Sequence, residues 1–347
     1  MRQGILLCVD YHDENCVIRR RDLARGTEEV LSVPTTAGDL LEVVADARRR
    51  AGPRGRVVWL QESTTGWARV VELLGKKAEF LLANMLQMPL PPKGRRKKTD
   101  KVDTARLQRE YLNGELPLAH QPPVWWRQVR RVVVCRENLV NRRTALRNGI
   151  NRHLAHETWE DRVGLWSVKG RKRLRSIVAK LPARDGLVMT TKVDELERLQ
   201  TQLTAVEAEL HAIYRESADA QRLDVVRGIG VVSAVSIVAR IGPVHRFGNA
   251  EQLIAFAGLA PGVRESDGTR RDGRIGGGGT DVHLRHYLIE ASVWARQLPR
   301  YVNTYNRLAK RRGKKIGRLA VARMLLRSIY KVLRDGLAFA PEAASAA

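Results

Sequence analysis

Four acidic residues in the first third of the chain have the types and spacing that phosphoryl transfer needs. Asp10 closes the apolar run Gly4-Ile5-Leu6-Leu7-Cys8-Val9, and Glu62 lies just past Val57-Val58-Trp59-Leu60. Each therefore stands at the end of a segment that reads as a buried β-strand. Asp100 and Asp103 sit three residues apart at the start of a helical pattern, which projects both from one face. Carboxylates gathered from three elements repel one another unless a cation lies between them. Mg²⁺, with Mn²⁺ as a substitute, suits such an all-oxygen set, and two ions about 3.5–4 Å apart clamp the attacking and leaving oxygens of a phosphodiester. Taken singly, each acid also has a plainer use. Asp10 can cap a turn with His12 and Asp13, Glu62 can cap a helix, and Asp100 with Asp103 can favour a helix N-terminus.

The elements that would position these acids follow from periodicity. Residues 5–9, 16–19 and 29–32 read as strands, 36–50 as a helix, 56–60 as a strand, 66–74 as a helix and 79–82 as a strand. Three strands followed by alternating helix and strand predict a mixed sheet covered by helices, an α/β domain of RNase H-like order over residues 1–120. Within it, Pro89–Lys98 carries Arg95, Arg96, Lys97 and Lys98 and reads as an exposed basic loop, followed by a helix from Thr99 through Tyr111. Residues 121–220 form a basic helical region, with an Arg-rich helix from Trp125 to about His156. Leu196, Leu199, Leu203, Val206, Leu210 and Ile213 recur at spacings of three and four, the seam of a coiled coil or of a long helix packed on its own core. A coiled coil would join protomers into a dimer or tetramer. Residues 221–340 read as an α-helical domain with a Gly-rich basic loop at 262–280, and 341–347 as a disordered tail.

Lys and Arg number 62 against 37 Asp and Glu, a formal charge of +25 over 347 residues. That imbalance points to a polyanionic partner, nucleic acid first. No apolar stretch approaches the ~18–20 residues of a membrane span, and the N-terminus lacks a signal-peptide pattern, so the expectation is a cytoplasmic, nucleoid-associated protein without a membrane partner. Cys8, Cys16 and Cys135 have no metal-ligand spacing and read as core thiols. Candidate phosphate contacts are Arg130, Arg131, Lys310, Arg311, Arg312, Lys314 and Lys315, together with Arg270, Arg271 and Arg274 in the Gly-rich loop. Gly228 and Gly230, before the apolar run Ala234–Ile241, fit a helix-hairpin-helix turn whose amides approach phosphate; a tight turn before a buried helix fits the same residues. Trp125-Trp126 beside Arg127, Arg130 and Arg131 can stack bases or anchor a helix.

Val9-Asp10, Leu60-Gln61-Glu62-Ser63-Thr64-Thr65-Gly66 and Lys98-Thr99-Asp100-Lys101-Val102-Asp103-Thr104-Ala105 together resemble the insertion-sequence one-ten family of transposases, bridge-RNA-guided DEDD recombinases. Leu253-Ile254-Ala255-Phe256-Ala257-Gly258-Leu259-Ala260-Pro261, followed by the segment Glu265–Ile275, resembles that family's C-terminal domain. The resemblance implies a RuvC-like first domain with its acids at Asp10, Glu62, Asp100 and Asp103. It also implies a nucleophilic serine a few residues after Pro261, where Ser266 stands. Donor and target DNA would then be chosen by a structured bridge RNA. The chain departs from the family pattern at Ser266-Asp267 and at Gly276-Gly277-Gly278-Gly279, which leaves Thr269 as an alternative hydroxyl. Two other readings stand beside strand exchange: a RuvC-like Mg²⁺ nuclease or junction resolvase using water, and a non-catalytic RNA- or DNA-binding protein.

Overall fold

The computed structural model describes residues 3–63, 66–88, 100–158, 162–266, 269–276 and 279–340. It divides into two compact units, Met1–Gln121 and Pro122–Ala347.

The first unit is built on strands β1 (Gly4–Tyr11), β2 (Asn15–Asp22) and β3 (Glu28–Pro34), then helix α1 (Ala37–Ala51), β4 (Arg56–Glu62), α2 (Trp67–Leu74), β5 (Glu79–Ala83) and α3 (Asp100–Asn113). The sheet order is β3-β2-β1-β4-β5; the first three strands form an antiparallel meander, while β4 and β5 run parallel to β1. β1 is buried on both faces, as its continuous apolar run requires. Ile5, Leu7 and Val9 pack with Leu40, Val43, Val44 and Ala47 of α1 and with Val70 and Leu74 of α2. Leu6 and Cys8 face the other way, toward Val58, Leu60 and Leu107 of α3. α1 forms where its apolar residues recur at helical spacing behind Thr36, whose hydroxyl accepts the Asp39 amide at 3.2 Å.

In the second unit, α4 (Val124–Glu157) and α6 (Ala183–Glu216) are two 34-residue helices, with α5 (Val168–Val178) between them in sequence. The pairs Arg136–Glu207, Arg142–Glu195 and His153–Asp185 show that α4 and α6 run antiparallel, since ascending numbers on one meet descending numbers on the other. Here the structure corrects the expected intermolecular coiled coil. Leu196 packs with Ile150 and Leu154, Leu199 and Leu203 with Leu139, and Leu210 and Ile213 with Val129 and Val133, so the seam is filled by α4 of the same chain. Next come α7 (Ala218–Asp224), α8 (Val231–Ile241) and α9 (Ala250–Phe256), then β6 (Pro261–Ser266) and β7 (Thr269–Ile275), and finally α10 (Val282–Ala295), α11 (Pro299–Arg312) and α12 (Lys314–Asp335). One core draws on residues from Val129 to Phe339, so the inner ends of α4 and α6 share it with the later helices. The expected Gly-rich loop at 262–280 is instead largely an antiparallel hairpin, β6–β7. Cys8 and Cys16 are buried as expected; Cys135 is exposed, because it lies on the outer face of α4. Residues 341–347 and the basic segment carrying Arg95, Arg96, Lys97 and Lys98 lie outside the described residues.

Candidate active site

Asp10 and Glu62 end up side by side. β1 pairs in parallel with β4 through Val9↔Gln61, so both acids follow the last paired residues of neighbouring strands. Side chains alternate along a strand, and both acids carry the parity of Leu6, Cys8, Val58 and Leu60, the set that faces α3. Asp10 is only 8% exposed, and His12 Nε2 lies 3.4 Å from its Oδ2. α3 is oriented by Gln108, whose amide donates to Glu28 at 2.8 Å. Glu28 pairs with Arg21, and Arg21 with Leu6 at the opposite end of β1 from Asp10. The middle of α3 is thereby tied across the same sheet face that Asp10 and Glu62 share, with Leu107 packed on it. Asp103, half-buried, precedes the fully buried Thr104, and Asp100 opens the helix; the Asp100 side chain lies outside the described residues. Gly66 fixes the return after Glu62. Its φ is +93°, and a Cβ there would lie 2.6 Å from the ring of Tyr11, the residue after Asp10.

Could these residues hold Mg²⁺? The donor set is carboxylate oxygen, the type a hard cation takes, and a buried Asp10 next to Glu62 favours a bound cation. Among the described residues, no group of three His, Cys, Asp or Glu side chains is arranged as a metal site. Two acids are adjacent, and the helix bearing the other two packs through Leu107 on the same face.

Ser266 and Thr269 are the facing pair at the tip of the β6–β7 hairpin, on either side of residues 267–268, which are not described. In the ladder Arg270 pairs with Glu265 and Arg271 with Arg264, while Arg274 stands near the end of β7; their side chains lie outside the described residues. The hairpin base is held tightly. Arg285 of α10 sits between Gly258 (φ +64°) and Gly276 (φ +79°), donating to the Gly258 carbonyl at 3.3 Å. A Cβ on Gly258 would come within 2.6 Å of Arg285 Nη1, and one on Gly276 would overlap the guanidinium. Arg323 of α12 donates to Leu259 O at 2.6 Å, and the Asp281 amide donates to Phe256 O at 2.8 Å.

A buried ionic network beside this base was not foreseen from the sequence. Arg240 of α8 donates through Nε to Glu137 at 3.2 Å and through Nη1 to Asp281 at 3.1 Å. Asp281 also caps α10, accepting the His283 and Leu284 amides, and His283 Nδ1 lies 3.3 Å from Glu137. The available signal was an arginine inside the otherwise apolar run Ala234–Ile241, which demands buried acid partners.

Arg130 requires a correction. It does not face solvent: Nε and Nη2 donate to Ala239 O, and Nη2 also to Arg240 O, so it caps the carbonyl end of α8. Burial, then repulsion from Arg240, lowers its basicity despite the pull of Asp281. Arg246 shares that end through Ile241 O and lies over the Phe247 and Phe256 rings; burial, then Arg130, pushes its guanidinium down to about 10. Gly228 packs against α10, where a Cβ would meet Ala291 O at 2.8 Å, and its φ is +98°; Gly230 begins α8 with open space around its Cα. Arg131, Lys310, Arg311, Arg312, Lys314 and Lys315 are exposed. Trp126 packs on the core while Trp125, edge-on to it at 4.7 Å, is more exposed.

Residues 220–306, from α7 into α11, match the model described as the transposase IS116/IS110/IS902 family. By class this segment is similar to a transposase domain. A family 20 transposase-named protein of Pseudomonas aeruginosa is 35% identical over 33% of this chain and 33% of its own length. The transposase for insertion sequence element IS1111A of Coxiella burnetii is 29% identical over 47% of this chain and 46% of its own. A transposase-named protein of Sinorhizobium fredii, y4rJ, is 28% identical over 91% of this chain and 88% of its own. The match thus spans a third to under half of the first two relatives. The family match is confined to residues 220–306, and each of these three relatives carries a transposase name.

Proposed function

We propose that the protein is an RNA-guided DNA recombinase that cuts and exchanges strands of its insertion sequence through a serine nucleophile assisted by Mg²⁺. The observation that carries this reading is the adjacency of Asp10 and Glu62 on the sheet face covered by α3, the helix that carries Asp100 and Asp103. A β3-β2-β1-β4-β5 order with an antiparallel first half supports an RNase H/RuvC-like assignment for this unit.

In this reading Asp10, Glu62, Asp100 and Asp103 hold the metal. When bound, Mg²⁺ supplies positive charge to the scissile phosphate. The Ser266 hydroxyl gives its proton to water, and its oxygen bonds to phosphorus. The bond from phosphorus to one DNA oxygen breaks, and that oxygen takes up a proton. Arg270, Arg271 and Arg274 share the hairpin with Ser266 and balance charge on the five-coordinate phosphorus. A hydroxyl from the other DNA duplex then attacks the phosphoserine, re-forming a phosphodiester and freeing Ser266. Phosphodiester energy is conserved, so exchange is isoenergetic. A bridge RNA pairs with donor and target DNA and selects the sites, while Lys and Arg neutralise backbone phosphates without reading bases. Acids and serine lie in separate units, and a dimer or tetramer lets one protomer's acids serve another's serine.

The test is Ser266→Ala in a donor–target cleavage assay that reads both nicked DNA and protein-linked DNA. Binding of RNA and DNA should be unchanged, with both cleavage products absent. Nicks at the wild-type rate would make water the nucleophile and refute the serine mechanism. Sequencing RNA that co-purifies with wild-type protein tests the guide: no recurrent structured RNA would refute it.

A further inference from the structure

Along the α4–α6 seam, arginines are matched by acids. Arg136 meets Glu207, Arg142 meets Glu195, and Arg175 of α5 meets Asp194 and Glu197. Three neighbours break that pattern. Arg143 and Arg147 lie one turn apart on α4 and Arg171 lies on α5; none has an acid partner among the described residues. All three are half-buried, and the Nε atoms of Arg143 and Arg147 are shielded from water with no hydrogen-bond acceptor. Arg147 lies 5.2 Å above the Trp166 ring. Burial, then the like charges of Arg143 and Arg171, hold its guanidinium below the ordinary range. Three guanidinium groups placed together, partly dehydrated and short of acceptors, raise the energy of the free protein. An anion with several acceptor oxygens relieves both the repulsion and the unmet donors, and the planar fork of arginine is shaped for phosphate.

We infer that Arg143, Arg147 and Arg171 form a binding site for the sugar-phosphate backbone of a nucleic-acid strand on the α4–α5 surface. The Trp166 face beneath Arg147 adds a stacking edge at the same place. A nucleic-acid strand, with phosphates repeated along it, offers acceptors to arginines on both helices at once. The site rests on the reading of the protein as a nucleic-acid enzyme, and adds a contact far in sequence from both the acids and Ser266.

The experiment uses the full chain, stripped of co-purified nucleic acid, and fluorescein-labelled 20-nucleotide single strands of RNA and of DNA with one sequence. Anisotropy titrations from 50 to 200 mM salt compare wild type, Arg147→Gln/Arg171→Gln and Arg142→Gln, the last removing a paired arginine from the same helix. Each phosphate contact on a single strand contributes about 0.7 to the slope of log K against log salt. The double variant should bind at least ten-fold more weakly, with a slope shallower by roughly 1.4. Its Tm should equal or exceed that of wild type, since repulsion has been removed. Arg142→Gln should keep the wild-type slope. Loss with RNA alone, DNA alone or both supports the site and identifies the strand. Unchanged affinity and slope would overturn it. So would a Tm drop of several degrees or failure to fold, which would mean that these arginines already hold acid partners. Wild type that binds neither strand would instead refute the parent reading.

Discussion

Replacing Arg240 by methionine isolates the cost of breaking the buried network at the hairpin base. Arg240 and Glu137 are 7% and 8% exposed, and Asp281 is nearly as enclosed. Methionine fills much of the arginine's volume, so little of the effect comes from a cavity. What remains is two dehydrated carboxylates without their shared cation. Removing one partner of a buried pair costs about 3–5 kcal/mol, most of it the penalty of the stranded charge. Arg130, whose charge also reaches Asp281, keeps the loss toward the lower end. In a unit of this size each kcal/mol moves Tm by about 2–4 °C, giving a drop of roughly 6–20 °C. Differential scanning calorimetry of the full chain reads it on the transition of the second unit. Adding Glu137→Gln and Asp281→Asn to Arg240→Met should recover at least half of the drop, because the stranded charges are gone. A drop under 3 °C, or no recovery in the triple variant, would refute the argument that desolvated charge dominates here.

Asp10→Asn or Glu62→Gln should abolish recombination in Mg²⁺ while leaving Tm within a few degrees of wild type; full activity in either would refute the metal assignment. Gly228→Ala combines a left-handed backbone with a Cβ 2.8 Å from Ala291 O and 2.9 Å from Trp294 Cβ, and should cost about 2–5 kcal/mol by urea unfolding; a change under 1 kcal/mol would show that α10 can move aside. At Glu28, burial opposes the charged form but Gln108 and Arg21 outweigh it; at Asp46, Arg20 and Arg50 do the same, so both carboxyls titrate below the usual range. Their stabilisation is complete above the unfolded values near ~4 and is lost as pH falls through the lower folded values. The Tm of the first unit should therefore be flat from about pH 7 to 5 and fall below about 4, and a Tm rising on acidification would overturn this.

The first unit was legible because each of its elements carries its own period. β1 is a run of apolar residues too short for a helix, and the apolar residues of α1 recur at 40, 43, 44 and 47 behind a capping threonine. Asp10 and Glu62 could be assigned to strand ends on that basis alone, since the acid interrupts the run that defines the strand. Their adjacency could not, because it depends on which strands pair. The β6–β7 hairpin left no comparable trace: Val263-Arg264-Glu265-Ser266 and Thr269-Arg270-Arg271-Asp272 lack an apolar alternation, and a two-stranded ribbon does not need one face buried. The heptads of α6 specify a seam but not whose helix fills it. An intramolecular antiparallel partner and a second chain ask for the same leucines, and only α4, with Leu139, Ile150 and Leu154 at matching depth, resolves the choice.

Charge was the hardest property to read, because a lysine or arginine in sequence does not say whether its partner is solvent, phosphate or the protein itself. Of the 62 basic residues, several have duties that no nucleic acid can share. Arg130 and Arg246 close the carbonyl end of α8, Arg240 joins α4 to α8 and α10, and Arg285 and Arg323 grip the base of the hairpin that ends at Ser266. Substituting any of these would weaken DNA binding through misfolding or a displaced hairpin, and would mimic the loss of a phosphate contact in a simple binding assay. The salt slope separates the two cases. A structural arginine lowers affinity at every salt concentration alike, whereas a phosphate contact removes counterion release and flattens the dependence. Arg131 and the exposed cluster from Lys310 to Lys315 should flatten it, and Arg130, although adjacent in sequence to Arg131, should not.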